Sequence, residues 1–473
     1  MNHNTDFTSD RFDLIVAGGG LAGHSAALQA ADMGASVLLL EKTPRYGGST
    51  TQSSGSFAFA GTQAQRDAGY EDSAQNMEGD LVRASGNLAD PNLISLYIER
   101  QADAYEWLRA RGVVFHPVSL SSNQGVPRTH ATDPTQLMDA LHARVTEHPS
   151  IRYVSPAALT GLLAQGNRVT GVQYVADGEE REALTTAGVV LATGGFSRDA
   201  DLIRKFAPKM ANALRLGGEG NAGDGLRLAW KLGADVVDMP YVNGTFGISL
   251  NNYPDPKPPL ASEALLRLAI YRGGIAVNLG AERFADESVS YKTLGELCLQ
   301  QKDGVGFQVW DQDIMDQSVP APNSTDFESA FARGLVRRAD SIAELARSVG
   351  LDAGKLEATI NRYNEDVRAG RDTVFGRASL GKGWGTLVPI ARAPFYIYPC
   401  TTAILATYCG LKANREMRVV DVLGETIPGL FAAGEIVGGF HGSGYMSGSS
   451  LSKSVIFGRV AAETALAAVK ESV

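Results

Sequence analysis

Short apolar runs and helical stripes alternate along most of this chain. Asp13-Leu14-Ile15-Val16-Ala17 is an unbroken apolar run of strand length, the pattern of a strand buried on both faces of a parallel sheet. Residues 21–33 carry small side chains at Ala22, Ala26, Ala27, Ala30 and Ala31, which predicts a helix able to lie close to that sheet. Residues 36–40 supply a second apolar strand ending at Glu41. Residues 73–112 read as helical, with Ile94, Tyr97, Ile98 and Ala102 followed by Tyr105, Trp107 and Leu108; residues 135–145, with Leu137, Leu141 and Val145, give another helix. The period then drops to two. Residues 151–154, 158–163, 168–175 and 181–186 alternate between turns such as Gln165-Gly166-Asn167 and Ala176-Asp177-Gly178, predicting a small antiparallel meander. Gly188-Val189-Val190-Leu191-Ala192-Thr193-Gly194-Gly195 returns the chain to the parallel sheet, and Asn221-Ala222-Gly223-Asp224-Gly225 feeds a helix at residues 226–232.

Between about residues 240 and 393 the glycine-turn style lapses. Helical segments at 326–333, 340–349 and 355–368, a proline-rich loop at 253–260 and a short strand at Ile275-Ala276-Val277-Asn278 read as an inserted second domain. From Phe395 the apolar strands return. Gly429-Leu430-Phe431-Ala432-Ala433-Gly434-Glu435 reads as a last strand and turn, followed by a Gly/Ser-rich loop at 438–449 and a helix at 450–469. The expected division is a first domain of residues 1–240 and 394–473, interrupted by a second of residues 241–393.

At 473 residues the chain is too long for one core, and 44% hydrophobic with 20% charged residues is ordinary for a globular protein. A net charge of -9 argues against nucleic acid or an anionic membrane as main partner. No apolar run approaches the roughly 18 residues of a membrane span. The first dozen residues are polar and lack the apolar core of a secretory signal, so a frayed tail and a cytoplasmic location are expected. Cys298, Cys400 and Cys409 are odd in number and lack metal-ligand spacing, which predicts packing residues in a reducing compartment and no metal site.

Chemistry enters with Gly18-Gly19-Gly20-Leu21-Ala22-Gly23, a G-x-G-x-x-G pattern with a strand before it and a helix after it. Gly18 permits a tight turn, Gly20 lets a pyrophosphate approach the backbone, and Gly23 brings helix and strand together; the helix N-terminus offers its N–H groups to phosphate. Glu41, 18 residues after Gly23, stands where a carboxylate accepts from a ribose hydroxyl. This predicts a dinucleotide site. Residues 43–61 are dense in Gly, Ser and Thr, cannot build a core, and are suited to lining a long planar cofactor.

These pieces, with Gly47-Gly48-Ser49-Thr50, Gly223-Asp224-Gly225 and Asp372-Thr373-Val374-Phe375-Gly376-Arg377, resemble in order the flavoprotein family of soluble fumarate reductases and 3-ketosteroid dehydrogenases. The resemblance runs over nearly the whole chain. It implies an α/β fold: a Rossmann-like FAD-binding domain, with a parallel sheet and a small antiparallel meander, split by an inserted α+β capping domain. It also implies FAD held by Gly18, Gly20, Leu21, Ala22, Gly23, Glu41 and Lys42, then Gly48, Ser49, Thr50, Ser54 and Gly55 near the flavin. Ala192, Thr193, Gly194, Asp224, Gly434 and Glu435 would complete the cofactor site, with Ser450, Leu451 and Ser452 presenting helix N-terminal amides to the flavin edge where charge collects on reduction. Membrane-bound relatives attach FAD through a histidine near residues 48–55; none stands there, so FAD is expected to be non-covalent. His24 departs from the small or apolar residue usual in the first helix, and no role follows for it.

Two positions divide the family. The reductases place an arginine proton donor seven residues after the Phe of G-x-R-F-x-[ND]-E, and a second arginine in H-G-x-N-R. Here Gly280-Ala281-Glu282-Arg283-Phe284-Ala285-Asp286-Glu287 leads to Tyr291, and His441-Gly442-Ser443-Gly444-Tyr445 ends in tyrosine. A further carboxylate-binding histidine of the reductases falls on Thr407. Losing both arginines removes the bidentate carboxylate grip. The ketosteroid dehydrogenases carry a tyrosine base in an N-E-S-type loop, similar to Asp286-Glu287-Ser288-Val289-Ser290-Tyr291, and hold the ketone oxygen with a second tyrosine and a glycine amide. Gly448 falls on the amide position and Tyr445 is offset by one residue from the tyrosine. A free tyrosine titrates near 10, so Tyr291 needs donors or a cation nearby, with Lys292 and His441 as candidates.

The resulting expectation is FAD-dependent α,β-dehydrogenation of a cyclic ketone, either a small oxocyclohexane carboxylate or a 3-oxosteroid. Tyr291 abstracts the α-proton, Tyr445 and Gly448 hold the oxygen, His441 contacts the substrate, hydride passes to flavin N5, and an external acceptor reoxidises the flavin. Retained His441 and a chain short for the steroid enzymes favour the small oxo-acid. An enoate reductase with altered acids, and a flavin redox sensor without turnover, are the alternatives.

Overall fold

The first apolar run becomes the strand Asp10–Ala17, whose last four residues are buried between parallel neighbours on both edges, Val37–Leu40 and Glu179–Leu191. The computed structural model describes residues 10–242, 244–254, 263–320, 324–381 and 384–470. Most of the polar N-terminal tail, and residues 255–260 of the proline-rich loop, lie outside the described residues.

The chain folds into two compact units: Met1–Ala207, Gly217–Val242 and Ala406–Val473 make one, Pro208–Leu216 and Asn243–Leu405 the other. In the first unit the sheet runs in the order Arg418–Val420, Thr426–Ala432, Glu179–Leu191, Asp10–Ala17, Val37–Leu40, Ile151–Val154. All these pairings are parallel except the outer hairpin of Arg418–Val420 with Thr426–Ala432. Ala157–Gln165 and Arg168–Ala176 extend from Glu179–Leu191 as the antiparallel meander. The helix Leu21–Asp32 packs against the C-terminal helix Ser449–Lys470. The approach is close because Gly458 faces Ala22, whose carbonyl oxygen would lie 2.3 Å from any Cβ there.

Two elements differ from the sequence reading. Ile151–Val154 belongs to the parallel sheet rather than the meander; as the edge strand it buries only one face firmly, and an edge strand alternates just as a hairpin strand does. The two strands expected at 181–186 and 188–191 are one, Glu179–Leu191, whose first half pairs with the meander and whose second half pairs with Asp10–Ala17.

The second unit is a mainly antiparallel sheet, Thr245–Ser249, Phe395–Ile404, Gly306–Asp311 and Ile275–Val277 in order, with helices Tyr291–Leu299, Ile342–Ser348 and Ala353–Arg368. Phe246, Phe307, Trp310, Leu345, Ile360 and Tyr398 are among its core residues. Phe395–Ile404 lies in this sheet, whereas the sequence reading returned it to the first domain. All ten of its residues are buried, and a two-face-buried strand reads the same whichever sheet receives it. Cys298, Cys400 and Cys409 are buried and free.

Candidate functional site

The glycine turn has two kinds of glycine. At Gly18 (φ +118°) a Cβ would lie 2.2 Å from Ala192 O, and at Gly23 1.8 Å from Gly18 O, so both are required by backbone packing. At Gly20 the nearest atom would be Gly47 O at 3.8 Å, and at Gly48 nothing lies within 4 Å. These two keep open space beside the start of Leu21–Asp32, which has no capping side chain from Gly20. Leu21 and Ala22 form the buried first turn, and Leu21 N–H donates to Thr50 Oγ1 at 3.3 Å. Glu41, buried at the end of Val37–Leu40, accepts from Gly19 N–H at 2.8 Å and from Thr43 N–H and Oγ1 at 2.7 Å each. Lys42 pairs with Asp224 at 2.6 Å. Ser54 and Ser56 hydroxyls lie 3.0 Å apart, and a Cβ at Gly55 would lie 1.8 Å from Thr132 O.

A second cluster forms around Glu435, in the short turn Gly434–Ile436 after strand Thr426–Ala432. Its carboxylate accepts from Thr407 N–H at 2.8 Å and from Asn221 Nδ2 at 3.1 Å, and Asn221 also donates to Ser49 Oγ at 2.9 Å. Burial raises the Glu435 carboxyl against the lowering by these donors. Gly194 and Gly195 cannot take side chains, since a Cβ would lie 2.2 Å from Asn221 Oδ1 and 1.9 Å from Thr407 Oγ1 respectively. Ala192 N–H bonds Ala17 O at 2.8 Å, and among the described residues the buried Thr193 hydroxyl has no hydrogen-bond partner. Gly434 (φ +79°) abuts Ala22.

The third cluster is the loop before the C-terminal helix. Tyr445 OH accepts from Gly448 N–H at 3.1 Å. The Tyr445 ring stacks on Tyr408 (5.0 Å, 23°) and lies 5.4 Å from the ring of buried His441, which packs edge-on against Tyr408 at 4.9 Å. Burial raises the Tyr445 phenol, with the amides of Gly448 and Ser450 opposing. Asn123 Nδ2 donates to Tyr445 O (2.7 Å), and Gln124 Nε2 to Ser447 O (2.9 Å). Beneath them Arg128 is fully buried and paired with Asp72 at 2.9 Å and Asp80 at 2.6 Å. Ser450 and Leu451 are half-buried in the first turn of Ser449–Lys470, while Ser452 Oγ accepts from Ala58 N–H at 3.0 Å, in the short strand Ser56–Ala58. Lys453, buried, donates to Val437 O at 3.0 Å and is pushed down to about 8 by burial.

In the second unit Tyr291 is half-buried at the start of Tyr291–Leu299, capped by the Ser290 side chain. Lys292 Nζ sits 5.3 Å from the Tyr291 ring centre and 2.6 Å from Thr245 Oγ1. The loop before it rests on a buried quartet. Arg283 makes paired bonds to Glu287 (2.6 and 2.9 Å) and to Asp372 (3.0 Å twice), and Arg377 lies 3.4 Å from Glu287.

The structure therefore brings Tyr445, Gly448 and His441 together in the first unit, with Tyr291 in the second. The sequence reading missed Asn221, Tyr408, Asn123, Gln124 and Lys453, whose roles depend on which segments meet. Asn221 alone had a local signal, the turn Asn221-Ala222-Gly223. Among the described residues no group of three His, Cys, Asp or Glu could hold a metal ion, and no helix is long and apolar enough to cross a membrane.

The FAD binding domain family matches residues 13–451. The urocanate reductase of Eggerthella lenta is 30% identical over 96% of this chain and 74% of its own length. The NADH:fumarate oxidoreductase of Klebsiella pneumoniae is 29% identical over 97% of this chain, which spans about half (48%) of that relative. The crystal structure of 3-ketosteroid-delta4-(5alpha)-dehydrogenase from Rhodococcus jostii, in complex with 4-androstene-3,17-dione, superposes with a TM-score of 0.75 at 26% identity, covering 98% of each chain.

Proposed function

This chain belongs to the FAD binding domain family and is an FAD-dependent oxidoreductase acting on carbon–carbon bonds, and from that premise we propose that it dehydrogenates a cyclic ketone at the α,β position. The substrate is a small oxocyclohexane carboxylate or a 3-oxosteroid.

The chain's own geometry fits the cofactor. Gly20 and Gly48 leave a cradle that a Cβ would fill, at a helix start whose N–H groups suit a pyrophosphate. Glu41 has acceptor capacity beyond its three donors, and the buried Thr193 hydroxyl awaits a partner. Gly18, Gly20 to Gly23, Glu41, Lys42, Gly48 to Thr50, Ser54, Gly55, Ala192 to Gly194, Asp224, Gly434, Glu435 and the first turn of Ser449–Lys470 would hold FAD, non-covalently since no histidine stands at residues 48–55. When bound, FAD supplies the two-electron acceptor for the β-hydrogen.

The observation that carries the reading is the Tyr445–Gly448 contact. Tyr445 oxygen accepts from the Gly448 amide, which fixes the phenol beside the start of the C-terminal helix, and its raised pKa keeps the phenol protonated at neutral pH, as a donor to a substrate oxygen must be. Tyr291 takes the α-proton, with the Lys292 ammonium close by. The C–H pair moves into the enolate, whose oxygen Tyr445 holds; as the carbonyl re-forms, the C=C bond is made and the β C–H bond breaks. An external acceptor removes the two electrons.

The reductase reading draws on the named relatives, a urocanate reductase and an NADH:fumarate oxidoreductase, and would use Tyr291 as proton donor. Cyclic ketones should reduce dichlorophenolindophenol anaerobically, while fumarate should not oxidise a reduced dye; the reverse outcome establishes the reductase. Tyr291→Phe should lower kcat by about 10² to 10⁴ with FAD retained. Undiminished turnover removes Tyr291 as base.

A further inference from the structure

His24 is wholly buried in the first turns of Leu21–Asp32, and its ring joins two segments of the cofactor site. Its Nδ1 lies 3.1 Å from Gly20 O and its Nε2 3.1 Å from His142 Nδ1, on the helix Pro134–Glu147. A carbonyl oxygen only accepts. His24 Nδ1 therefore carries the proton, and Nε2 accepts from His142 Nδ1–H. His142 in turn stacks on Tyr46 (3.7 Å, 19°), whose hydroxyl donates to Asp139 at 2.7 Å. Tyr46 directly precedes Gly47, and Gly47 N–H bonds Gly19 O at 2.8 Å. The chain of contacts thus starts at the Gly19–Gly20 backbone, passes through both histidines and Tyr46, and returns to the Gly47–Gly48 side of the same cradle.

We propose that the His24–His142 pair is a positioning device for the cofactor loop, holding it while His24 is neutral and releasing FAD when His24 takes a proton. This rests on reading Gly20 and Gly48 as the pyrophosphate cradle. The asymmetry comes from which nitrogens are committed. His142 can accept a proton on Nε2 and still donate to His24. Once His142 holds a proton on both nitrogens it can only donate to His24, so a further proton on His24 Nε2 sets two N–H groups against each other in a buried space. Burial holds His24 down to about 4 from 6.5, and lowers His142 as well. The titratable groups around the pair are Asp139 on the His142 helix, Tyr153 on Ile151–Val154, packed edge-on to His142 at 4.7 Å, and Tyr46 and Glu41 on the segment following Val37–Leu40. Tyr46 is pushed up to about 12 by its bond to Asp139, and burial raises Tyr153, so both are neutral across the range. On the C-terminal helix, Arg459 bonds Gln29 further along the His24 helix.

FAD release from the holoenzyme, followed by the fluorescence of freed FAD between pH 8 and 4 with far-UV circular dichroism in parallel, tests this. Wild-type protein should keep FAD near neutrality and release it as the pH falls toward about 4, before the dichroism changes. His24→Gln keeps a donor for Gly20 O and an acceptor for His142 without titrating; it should bind FAD as wild type does near neutrality and lose the acid-dependent release. His142→Phe keeps a ring against Tyr46 but removes the N–H that faces His24 Nε2, and should move the release to higher pH. Gly20→Val separates the premise from the proposal, since it should lose FAD at every pH. If Gly20→Val loses FAD and both histidine variants release it with the wild-type profile, the device does not exist. If Gly20→Val keeps FAD, the cradle reading fails and the proposal with it.

Discussion

Replacing Tyr445 by Phe isolates one hydroxyl. The ring remains, so stacking on Tyr408 at 5.0 Å and the packing against His441 at 5.4 Å persist, and no cavity opens. The structural loss is the acceptor of the Gly448 N–H bond at 3.1 Å, worth about 0.5–1.5 kcal/mol. The catalytic loss is larger, because a donor aimed at a developing enolate oxygen is worth about 10² to 10³ in kcat, or about 3–4 kcal/mol. Gly448 N–H, released from Tyr445, can itself donate to the substrate oxygen, which argues for the lower end of that range. Anaerobic ketone-dependent dye reduction, with kcat and KM resolved and flavin content measured in the same preparation, reads the difference. The expected pattern is a large fall in kcat, a small change in KM and full flavin occupancy. An unchanged kcat refutes the role of the hydroxyl, whatever the fate of the Gly448 bond.

Other perturbations address the frame. Gly23→Ala places a Cβ 1.8 Å from Gly18 O, a backbone atom that cannot swing aside, so the helix must move; the purified protein should carry little FAD and lose about 1–3 kcal/mol of stability, measured by flavin stoichiometry and urea midpoint. Asp372→Asn leaves Arg283 and Arg377 facing Glu287 alone, a buried surplus positive charge that should cost about 3–5 kcal/mol in urea unfolding. Burial alone would raise Asp372, but the Arg283 bonds outweigh it and hold it below 3.8. Its contribution is therefore present above about 3.8 and lost as pH falls through the lower folded value, a dependence that Asp372→Asn should lack.

Much of the first unit was legible because its signals are local. A strand, three glycines and a helix occupy consecutive residues, and the packing reasons for Gly18 and Gly23 are met within the turn and at the neighbouring strand end, Ala192. The meander was legible for the same reason, since hairpins announce their turns. Legibility failed where burial alone defines an element. Phe395–Ile404 has no polar face to say which sheet it enters, and its assignment depends on pairing with Thr245–Ser249 and Gly306–Asp311. The site contacts failed differently. Asn221 reaches Ser49 and Glu435 across 172 and 214 residues, and Asn123 reaches Tyr445 across 322; a polar residue in a loop does not state its partner. His24 stood out in the sequence as a misfit, and only the position of His142, 118 residues away, gives it a chemical context.

The surroundings of Tyr445 bear on reaction direction as strongly as the tyrosine itself. Dicarboxylate reduction requires cations whose charge is available to the substrate. Arg128, which reaches the Met446 sulfur at 3.8 Å, has its guanidinium engaged by two buried aspartates. Lys453 gives its ammonium to Val437 O, and burial has already lowered its affinity for the proton. What this loop presents is therefore a phenol and an imidazole, with the Gly448 amide given to the phenol oxygen, and no arginine. Such a set discriminates by geometry rather than by Coulomb attraction. A ketone oxygen gains from it mostly as the enolate develops, when charge accumulates next to Tyr445, whereas a carboxylate carries its charge before and after reaction and would be bound no better in the transition state than in the ground state. The same loop with an arginine would bind a second carboxylate tightly. With tyrosine it rewards the movement of charge onto a carbonyl oxygen, which is the event that α-proton abstraction requires.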